Sequence, residues 1–454
     1  MNPSNASTEA PPHLKRVLTL WDLILYGIVL IMPIAPVPLF GVAQKLSDGH
    51  AVTTILLSML AMLLTAFSYG RMAAVYPSAG SAYTFVGHGL NPHLGFLTGW
   101  AMFLDYLIIP LICTVYGALT VQRLVPEVPY VILAAAFAGT MTLINLRGIR
   151  TTARINFVLA TIMSAVILVF IALALRLLFH QLGWHGVFST QPFYSPTTFH
   201  ASSIAVGTSV AALTYIGFDG ITTLAEDALN PRRNVLLATV SVCLFTGLFG
   251  GLQIYLAQRV WPDWHTFPNL ETAFMDVTRV VGGNILFQAL AFVLILANLG
   301  SGLSGQAGLS RLLFGMGRDN VIPRRFFAYL SPKRNTPTLN MIMIGLIAFL
   351  GAIVLNYERA AELINFGAFL AFMGVNAAAL REFYLVPSAR ASRRLFADGV
   401  APALGIIFCF AIWMSLATPA KVLGGAWFVL GIVYDAVKTR GFKESPARID
   451  FREA

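Results

Sequence analysis

Three acidic side chains, Asp105, Asp219 and Glu226, lie inside otherwise apolar stretches of this 454-residue sequence. Asp105 lies in a long apolar run, and Asp219 lies between Gly217 and Gly220. A charged side chain at the centre of a membrane-spanning helix costs about 2.5–3.5 kcal/mol, so it is rarely present without a function. No lysine or arginine stands at a similar depth, so these carboxylates predict a cationic substrate or a proton as partner. The alternative for Asp105 is a protonated side chain hydrogen-bonded between helices.

The sequence around Asp219 predicts a broken helix. Each of its two flanking glycines weakens a helix by about 1 kcal/mol relative to alanine. In lipid, the backbone groups freed by such a break must be satisfied by the protein or a cavity, which predicts a polar cavity near mid-membrane. Glu226 lies two α-helical turns past Asp219 and is predicted to act in coupling or gating, or to pair with a loop arginine. The alternative is a glycine kink with a capping aspartate.

Aromatic and amide side chains are candidates to complete this site. Tyr106 follows the first carboxylate, and Tyr215 and Phe218 flank the predicted break. Aromatic faces attract an ammonium group by about 0.5–2 kcal/mol, although aromatics make up 12% of the chain and each of these rings also suits core packing. Asn298 and Asn365 stand in apolar runs, where they line the cavity or form hydrogen bonds between helices.

Composition indicates an integral membrane protein. The chain is 57% hydrophobic and 11% charged, with a mean hydropathy of +0.74, whereas soluble domains carry about 25% charged residues. The net charge of +10 does not require nucleic acid as a partner, because the basic residues are spread between hydrophobic segments. Three isolated cysteines show no metal or disulfide spacing. Sequence motifs of hydrolases, zinc enzymes and phosphate-binding loops are missing, so we expect no enzyme, metal or cofactor.

The apolar segments predict twelve membrane-spanning helices. Of the 30 lysines and arginines, 23 fall on the side of the N terminus and 7 on the other. Because cationic loops stay in the cytoplasm, both termini are predicted to be cytoplasmic, in a multi-pass protein of the inner (plasma) membrane. The predicted spans are Leu20–Gln44, Ala51–Val75, Gly95–Val121, Tyr130–Leu146, Ile155–Phe179, Ser203–Asp227, Val235–Gln258, Asn284–Leu313, Asn340–Leu355, Ala361–Phe383, Pro402–Leu416 and Val422–Val437.

A second interrupted helix indicates an internal repeat in the sequence. Pro33, Pro36 and Pro38 interrupt helix 1, about 186 positions before the break in helix 6. Matching broken helices in two halves indicate inverted repeats with a shared site. The predicted organisation is a cytoplasmic tail (1–19), a first five-helix repeat (20–179), an extracellular loop (180–202), a second repeat (203–383), helices 11 and 12 (384–437) and a cytoplasmic tail (438–454).

Two stretches resemble signatures of a known superfamily. Residues 76–83, Tyr-Pro-Ser-Ala-Gly-Ser-Ala-Tyr, are similar to the Pro-x-Ala-Gly-x-x-Tyr signature of amino acid–polyamine–organocation permeases, and residues 217–231 resemble the second signature. Similarity to the bacterial putrescine importers within that superfamily rests on four further stretches. These are Gly99-Trp100 with Leu104-Asp105-Tyr106, Ser310–Leu313, Met316–Val321 and Leu363–Ala368. The resemblance covers roughly Leu20 to Phe383.

The resemblance implies an all-α, LeuT-like 5+5 inverted repeat and a sodium-independent, proton-coupled uptake permease. Asp105, Asp219 and Glu226 are then the candidate proton carriers. At the helix 1 break, where such importers tend to hold a tyrosine, this chain has Leu30. Because the break is aliphatic and rich in proline, it has few backbone donors for a substrate carboxylate. We therefore expect a small organic amine, with putrescine as the leading candidate, in a protein of undetermined oligomeric state. The alternatives are an amino acid permease and a non-transporting membrane sensor.

Overall fold

The computed structural model describes residues 17–77, 80–147, 153–225, 227–318, 322–332, 336–386 and 394–446. Within these ranges the chain is helical, and the β-type pairing is confined to a single bridge between Leu18 and Ala228. Nine helices in the described parts are long and apolar enough to cross a membrane, and three shorter ones are also apolar. The all-α membrane class predicted from composition is confirmed.

Most long helices begin and end within about five residues of a predicted span, but α11 begins eleven residues earlier than predicted, and α4, α8 and α12 match no predicted span. They are α1 (Leu20–Ile31), α2 (Phe40–Leu46), α3 (Ala51–Val75), α4 (Ser81–Gly89), α5 (Pro92–Leu124), α6 (Tyr130–Leu146), α7 (Ala153–Leu182), α8 (Trp184–Val187), α9 (Ala201–Ala211), α10 (Pro231–Val260), α11 (Ala273–Arg318), α12 (Arg324–Phe327), α13 (Thr338–Val354), α14 (Tyr357–Leu380), α15 (Ala401–Met414) and α16 (Thr418–Lys438).

The predicted interruption of helix 1 is present between α1 and α2. A capping box formed by Thr19 and Asp22 begins α1, and the helix ends where Met32 takes a positive φ of 70°. The proline-rich turn that follows frees backbone carbonyls. One of them, that of Pro33, accepts a hydrogen bond of 3.0 Å from Nε2 of the buried Gln253 on α10.

The predicted interruption of helix 6 is also present, but its geometry differs from the expectation. After α9 the chain forms two 3₁₀ helices, Ala212–Tyr215 and Phe218–Leu224, separated by Gly217 at a φ of 115°. A 3₁₀ helix has three residues per turn instead of 3.6. The two α-helical turns assumed between Asp219 and Glu226 therefore do not describe residues 218–224. Glu226 itself lies outside the described residues.

Packing places the break of helix 6 at the centre of the molecule. Helix α3 lies along α10, α5 packs between α11 and α14, and α1 packs on α10 and on the second 3₁₀ helix. Gly27 allows α1 to approach closely, because a Cβ atom there would overlap Ile221 and Val242. The second 3₁₀ helix thus packs against α1, α3, α4 and α10.

Candidate substrate site

The structure brings Asp105 and Asp219 together. Asp105 lies in the middle of α5 and Asp219 in the first turn of the second 3₁₀ helix, and the two carboxylates are within electrostatic range of each other. Oδ1 of Asp105 is buried and has no hydrogen-bond partner among the described residues. Buried polar atoms are normally paired, so this oxygen is available to a ligand or a proton.

Local backbone geometry orients the Asp219 side chain. The backbone groups of Gly217, Asp219 and Gly220 lie close to its carboxylate, and the N–H of Gly220 also donates to the carbonyl of Gly217 at 3.0 Å. The side chain nevertheless stays partly exposed. The two predictions for this residue, a capping aspartate and a group that borders a cavity, are therefore compatible in one geometry.

Two tyrosines flank the carboxylate pair. Tyr106 is partly buried and lies within electrostatic range of Asp105, Asp219 and Tyr26. Tyr26, on α1, is 39% exposed and is within electrostatic range of Asp219. Tyr26 thus adds a partly exposed aromatic ring of α1 to the neighbourhood of Asp219. The sequence analysis did not identify Tyr26, although its position four residues before Leu30 was a usable signal.

A third tyrosine lies behind the pair. Tyr69 of α3 is fully buried and meets the rings of Phe85, Phe218 and Phe372 edge-on, at centroid distances of 6.0, 5.4 and 5.9 Å. Its hydroxyl has no hydrogen-bond partner among the described residues, and it is within electrostatic range of Asp219 and Asp105. Nothing in the sequence distinguishes it from other aromatic residues of the core.

Tyr215 and Phe218 take different positions from those expected. Both side chains are fully buried. The Tyr215 hydroxyl donates a hydrogen bond of 2.8 Å to the backbone carbonyl of Ile55 on α3, and Phe218 packs against Tyr69 and Phe372. Both rings therefore pack in the core beside the helix 6 break.

The two asparagines form hydrogen bonds to backbone carbonyls. Nδ2 of Asn298 donates to Leu294 O, one turn earlier on its own helix, at 2.8 Å. Nδ2 of the fully buried Asn365 donates to Ser209 O at 2.6 Å. Asn365 thus satisfies a carbonyl in the last turn of α9, just before the break, which corresponds to the interhelical alternative of the sequence analysis.

Leu30 connects the two interrupted helices. Its side chain is 40% exposed and lies over Gly217 and Gly220, where an added Cβ atom on Gly220 would overlap it. The two breaks can therefore approach each other closely only because helix 6 has glycine at position 220. The first signature stretch contacts the same region, because Oγ of Ser81 and Oγ1 of Thr222 are 2.8 Å apart. Ser78 and Ala79 of that stretch lie outside the described residues.

Metal chemistry finds no support in the described ranges. They contain no group of three or more His, Cys, Asp or Glu side chains placed to hold a metal ion. The described part of the site consists of carboxylates, tyrosines and backbone, which are groups that bind organic cations and protons.

Comparisons with known proteins agree with this geometry. A profile of the family "Amino acid permease" matches residues 37–424. The low-affinity putrescine importer PlaP of Escherichia coli K12 is 32% identical over 433 residues, 95% of each chain. The branched-chain amino acid permease BcaP of Lactococcus lactis is 27% identical, covering 96% of this chain and 97% of its own. The methylthioribose transporter of Bacillus subtilis is 25% identical, covering 94% and 92%. The chain therefore belongs to the amino acid permease family, whose members are multi-pass membrane transporters and not enzymes.

Proposed function

We propose that this protein is a secondary active transporter that imports a small organic amine, with putrescine as the leading candidate. Its uptake is driven by a proton gradient. The observation that carries the proposal is the pair of carboxylates Asp105 and Asp219 in the apolar interior, one of them with an unpartnered buried oxygen. A diamine carries two ammonium groups about four carbons apart, too far apart for one carboxylate to pair with both.

The backbone at the helix 1 break argues against a substrate carboxylate. Its three prolines have no N–H group. Other N–H groups of the turn already donate to carbonyls three or four residues earlier, namely those of Met32, Ala35, Val37 and Leu39. Permeases that hold a carboxylate at a helix break need free N–H donors there. These donors are occupied.

The backbone at the helix 6 break leads to the same conclusion. The backbone groups of Gly217, Asp219 and Gly220 lie close to the carboxylate of Asp219 itself, and the Gly220 N–H already donates to the carbonyl of Gly217. A substrate carboxylate at this position would lose those donors to Asp219 and be repelled by its charge. An amine without a carboxylate meets neither obstacle, and it gains the aromatic faces of Tyr26 and Tyr106.

The relatives support a range of substrates that includes such amines. The names of PlaP and BcaP assign putrescine to one and branched-chain amino acids to the other, and a third relative carries methylthioribose. The whole-length match to the putrescine importer, together with the two carboxylates, favours a diamine. An amino acid permease is the second candidate, favoured by the similarity to BcaP.

Architecture and orientation complete the proposal. Nine long and three shorter apolar helices in the described ranges fit twelve spans arranged as two inverted five-helix repeats (20–179 and 203–383) with two further helices (384–437). Both termini are cytoplasmic and the protein lies in the inner membrane, in agreement with the distribution of basic residues. Asp105 and Asp219 are the proton carriers, and Glu226 acts in gating.

Uptake by the purified protein in proteoliposomes tests substrate and coupling together. With an acidic exterior, labelled putrescine should accumulate above its external concentration, and an ionophore that dissipates the proton gradient should abolish accumulation. Unlabelled diamines should compete far better than ornithine, arginine or leucine. If ornithine or leucine competes best, the protein is an amino acid permease. If no amine or amino acid is taken up, the sensor alternative is favoured.

A further inference from the structure

A short segment covers the end of the molecule at which α2 lies. We call residues 267–281 the cover. The rings of Phe267 and Phe274 pack on Phe40 of α2 at centroid distances of 5.5 and 5.7 Å, and Phe274 also packs on Phe170 of α7 at 4.9 Å. The carbonyl of Leu270 lies so close to Gly41 that a Cβ atom there would overlap it. The cover therefore closes over the second half of broken helix 1.

The cover is joined to the rest of α11 through two glycines. Gly282 has φ and ψ of −129° and 16°, and Gly283 has 65° and −162°, so the helical path is interrupted between the cover and the membrane-spanning part of α11. An added Cβ atom on Gly283 would meet nothing within 4 Å. Gly283 occupies a conformation that is open almost only to glycine. This joint lets the cover change its angle without unfolding either helix.

Two carboxylates fasten the cover to neighbouring helices. Oε1 of Glu271 accepts a hydrogen bond of 2.9 Å from the backbone N–H of Tyr357, the first residue of α14. Asp276 forms an ion pair with Arg123 near the end of α5. Movement of the cover away from α2 breaks both contacts.

The two fastenings differ in the charges that surround them. Asp276 faces Arg123, whereas the groups that act on Glu271 are Tyr116 of α5, Tyr130 of α6 and Tyr357 and Glu358 of α14. Burial raises the pKa of Glu271, with a further contribution from the like charge of Glu358, and the α14 amides only partly oppose this shift. Among the described residues, no cation acts on Glu271 as Arg123 acts on Asp276.

We propose that Glu271 is a positioning residue of the transport cycle, a proton-sensitive fastening that holds the cover on α14 when neutral and favours its release when ionised. An open cover exposes Glu271 to water, where its pKa returns to the ordinary value. Because the pKa is higher in the closed state, protons favour closure. The stabilisation of the closed state is complete below the ordinary glutamate pKa and is lost as pH rises through the raised pKa. This inference is independent of the substrate and of the proton carriers proposed above.

Cysteine accessibility measures the opening of the cover. Gln44 lies one turn beyond Gly41 on α2 and is fully buried, so Gln44→Cys should react with a polar maleimide only when the cover opens. The three native cysteines are first replaced, and the exposed Glu127→Cys corrects for the pH dependence of thiol reactivity. From pH 8 to pH 5 the corrected rate should fall by up to about tenfold for each unit by which the two pKa values of Glu271 differ.

Variants that remove a charge distinguish a proton-sensitive role of Glu271 from simple packing of the cover. Glu271→Gln keeps the acceptor for Tyr357 N–H and should give slow labelling that no longer depends on pH. Glu358→Gln removes the like charge and should move the midpoint of the profile to lower pH. Asp276→Asn should raise the rate at every pH and leave the midpoint unchanged. The proposal is overturned by a pH profile that persists in Glu271→Gln, by one that disappears in Asp276→Asn, or by labelling that rises towards acid.

Discussion

Prolines interrupt helix 1 and glycines interrupt helix 6, and the two breaks offer different chemistry to a substrate. Four N–H groups of the helix 1 turn donate to carbonyls three or four residues earlier, and the break presents the aliphatic side chain of Leu30. The helix 6 break presents a partly exposed carboxylate that has neighbouring backbone groups close to it. In the proposed function, one break is an apolar wall and the other is the charged anchor for a substrate with ammonium groups and a short hydrocarbon chain.

The largest expected effect comes from the charge that faces the helix 6 break. Asp105→Asn preserves volume and removes the carboxylate. An unpaired buried ammonium group costs about 3–5 kcal/mol, which corresponds to a loss of more than about a hundredfold in affinity. Uptake of labelled putrescine at micromolar concentration should therefore be abolished, and Asp219→Asn should abolish or uncouple it. Leu30→Ala, at the apolar break, should change affinity far less.

A matched control distinguishes lost recognition from lost folding. Asp435 of α16 is also a buried carboxylate, paired with Nδ1 of His93 at 2.9 Å and remote from the two breaks in sequence. Asp435→Asn should keep its affinity for putrescine, and all variants should reach the membrane in similar amounts. Near-normal affinity of Asp105→Asn would show that its carboxylate serves helix packing and that the substrate is anchored elsewhere.

Backbone conformation provides the second test of the comparison. Each break contains one residue with positive φ, Met32 in helix 1 and Gly217 in helix 6. A non-glycine residue in such a conformation costs about 1–3 kcal/mol. Gly217→Ala should therefore lower the thermal unfolding midpoint and weaken uptake, whereas Met32→Gly relieves strain and should be tolerated. If Gly217→Ala is neutral in both measurements, the helix 6 break is adaptable and does not require the conformation described here.

The apolar spans and both breaks were predictable from the sequence, whereas the joint role of Asp105 and Asp219 in one site stays a prediction. Long apolar runs mark the spans, while prolines and glycines mark the breaks. The face that each side chain presents was not predictable near the helix 6 break, since the 3₁₀ turns change the phase by about 20° per residue relative to an α-helix. That change turns Tyr215 and Phe218 into the core. Tyr26 and Tyr69 were missed because their roles depend on helix rotation, which hydropathy does not encode.

Two buried amides allow the finest comparison, with the smallest expected effect. Nε2 of Gln253 donates to Pro33 O in the helix 1 break at 3.0 Å, and Nδ2 of Asn365 donates to Ser209 O before the helix 6 break at 2.6 Å. The side-chain oxygen of each amide group has no partner among the described residues. Gln253→Leu and Asn365→Leu each leave one backbone carbonyl unpaired, at a cost of about 1–3 kcal/mol. Both variants should therefore lower the thermal midpoint by similar amounts.

The two variants should differ in transport, because only the helix 6 break carries the charged anchor. Asn365→Leu loosens the last turn of α9 and, through it, the position of Asp219, so the apparent affinity for putrescine should fall severalfold. Gln253→Leu loosens an apolar turn and should leave that affinity close to normal at equal loss of stability. Measuring uptake at several substrate concentrations alongside thermal unfolding separates the two effects. Equal losses of affinity in both variants would mean that the two breaks act on the substrate as one unit, and the division into apolar wall and charged anchor would be incorrect.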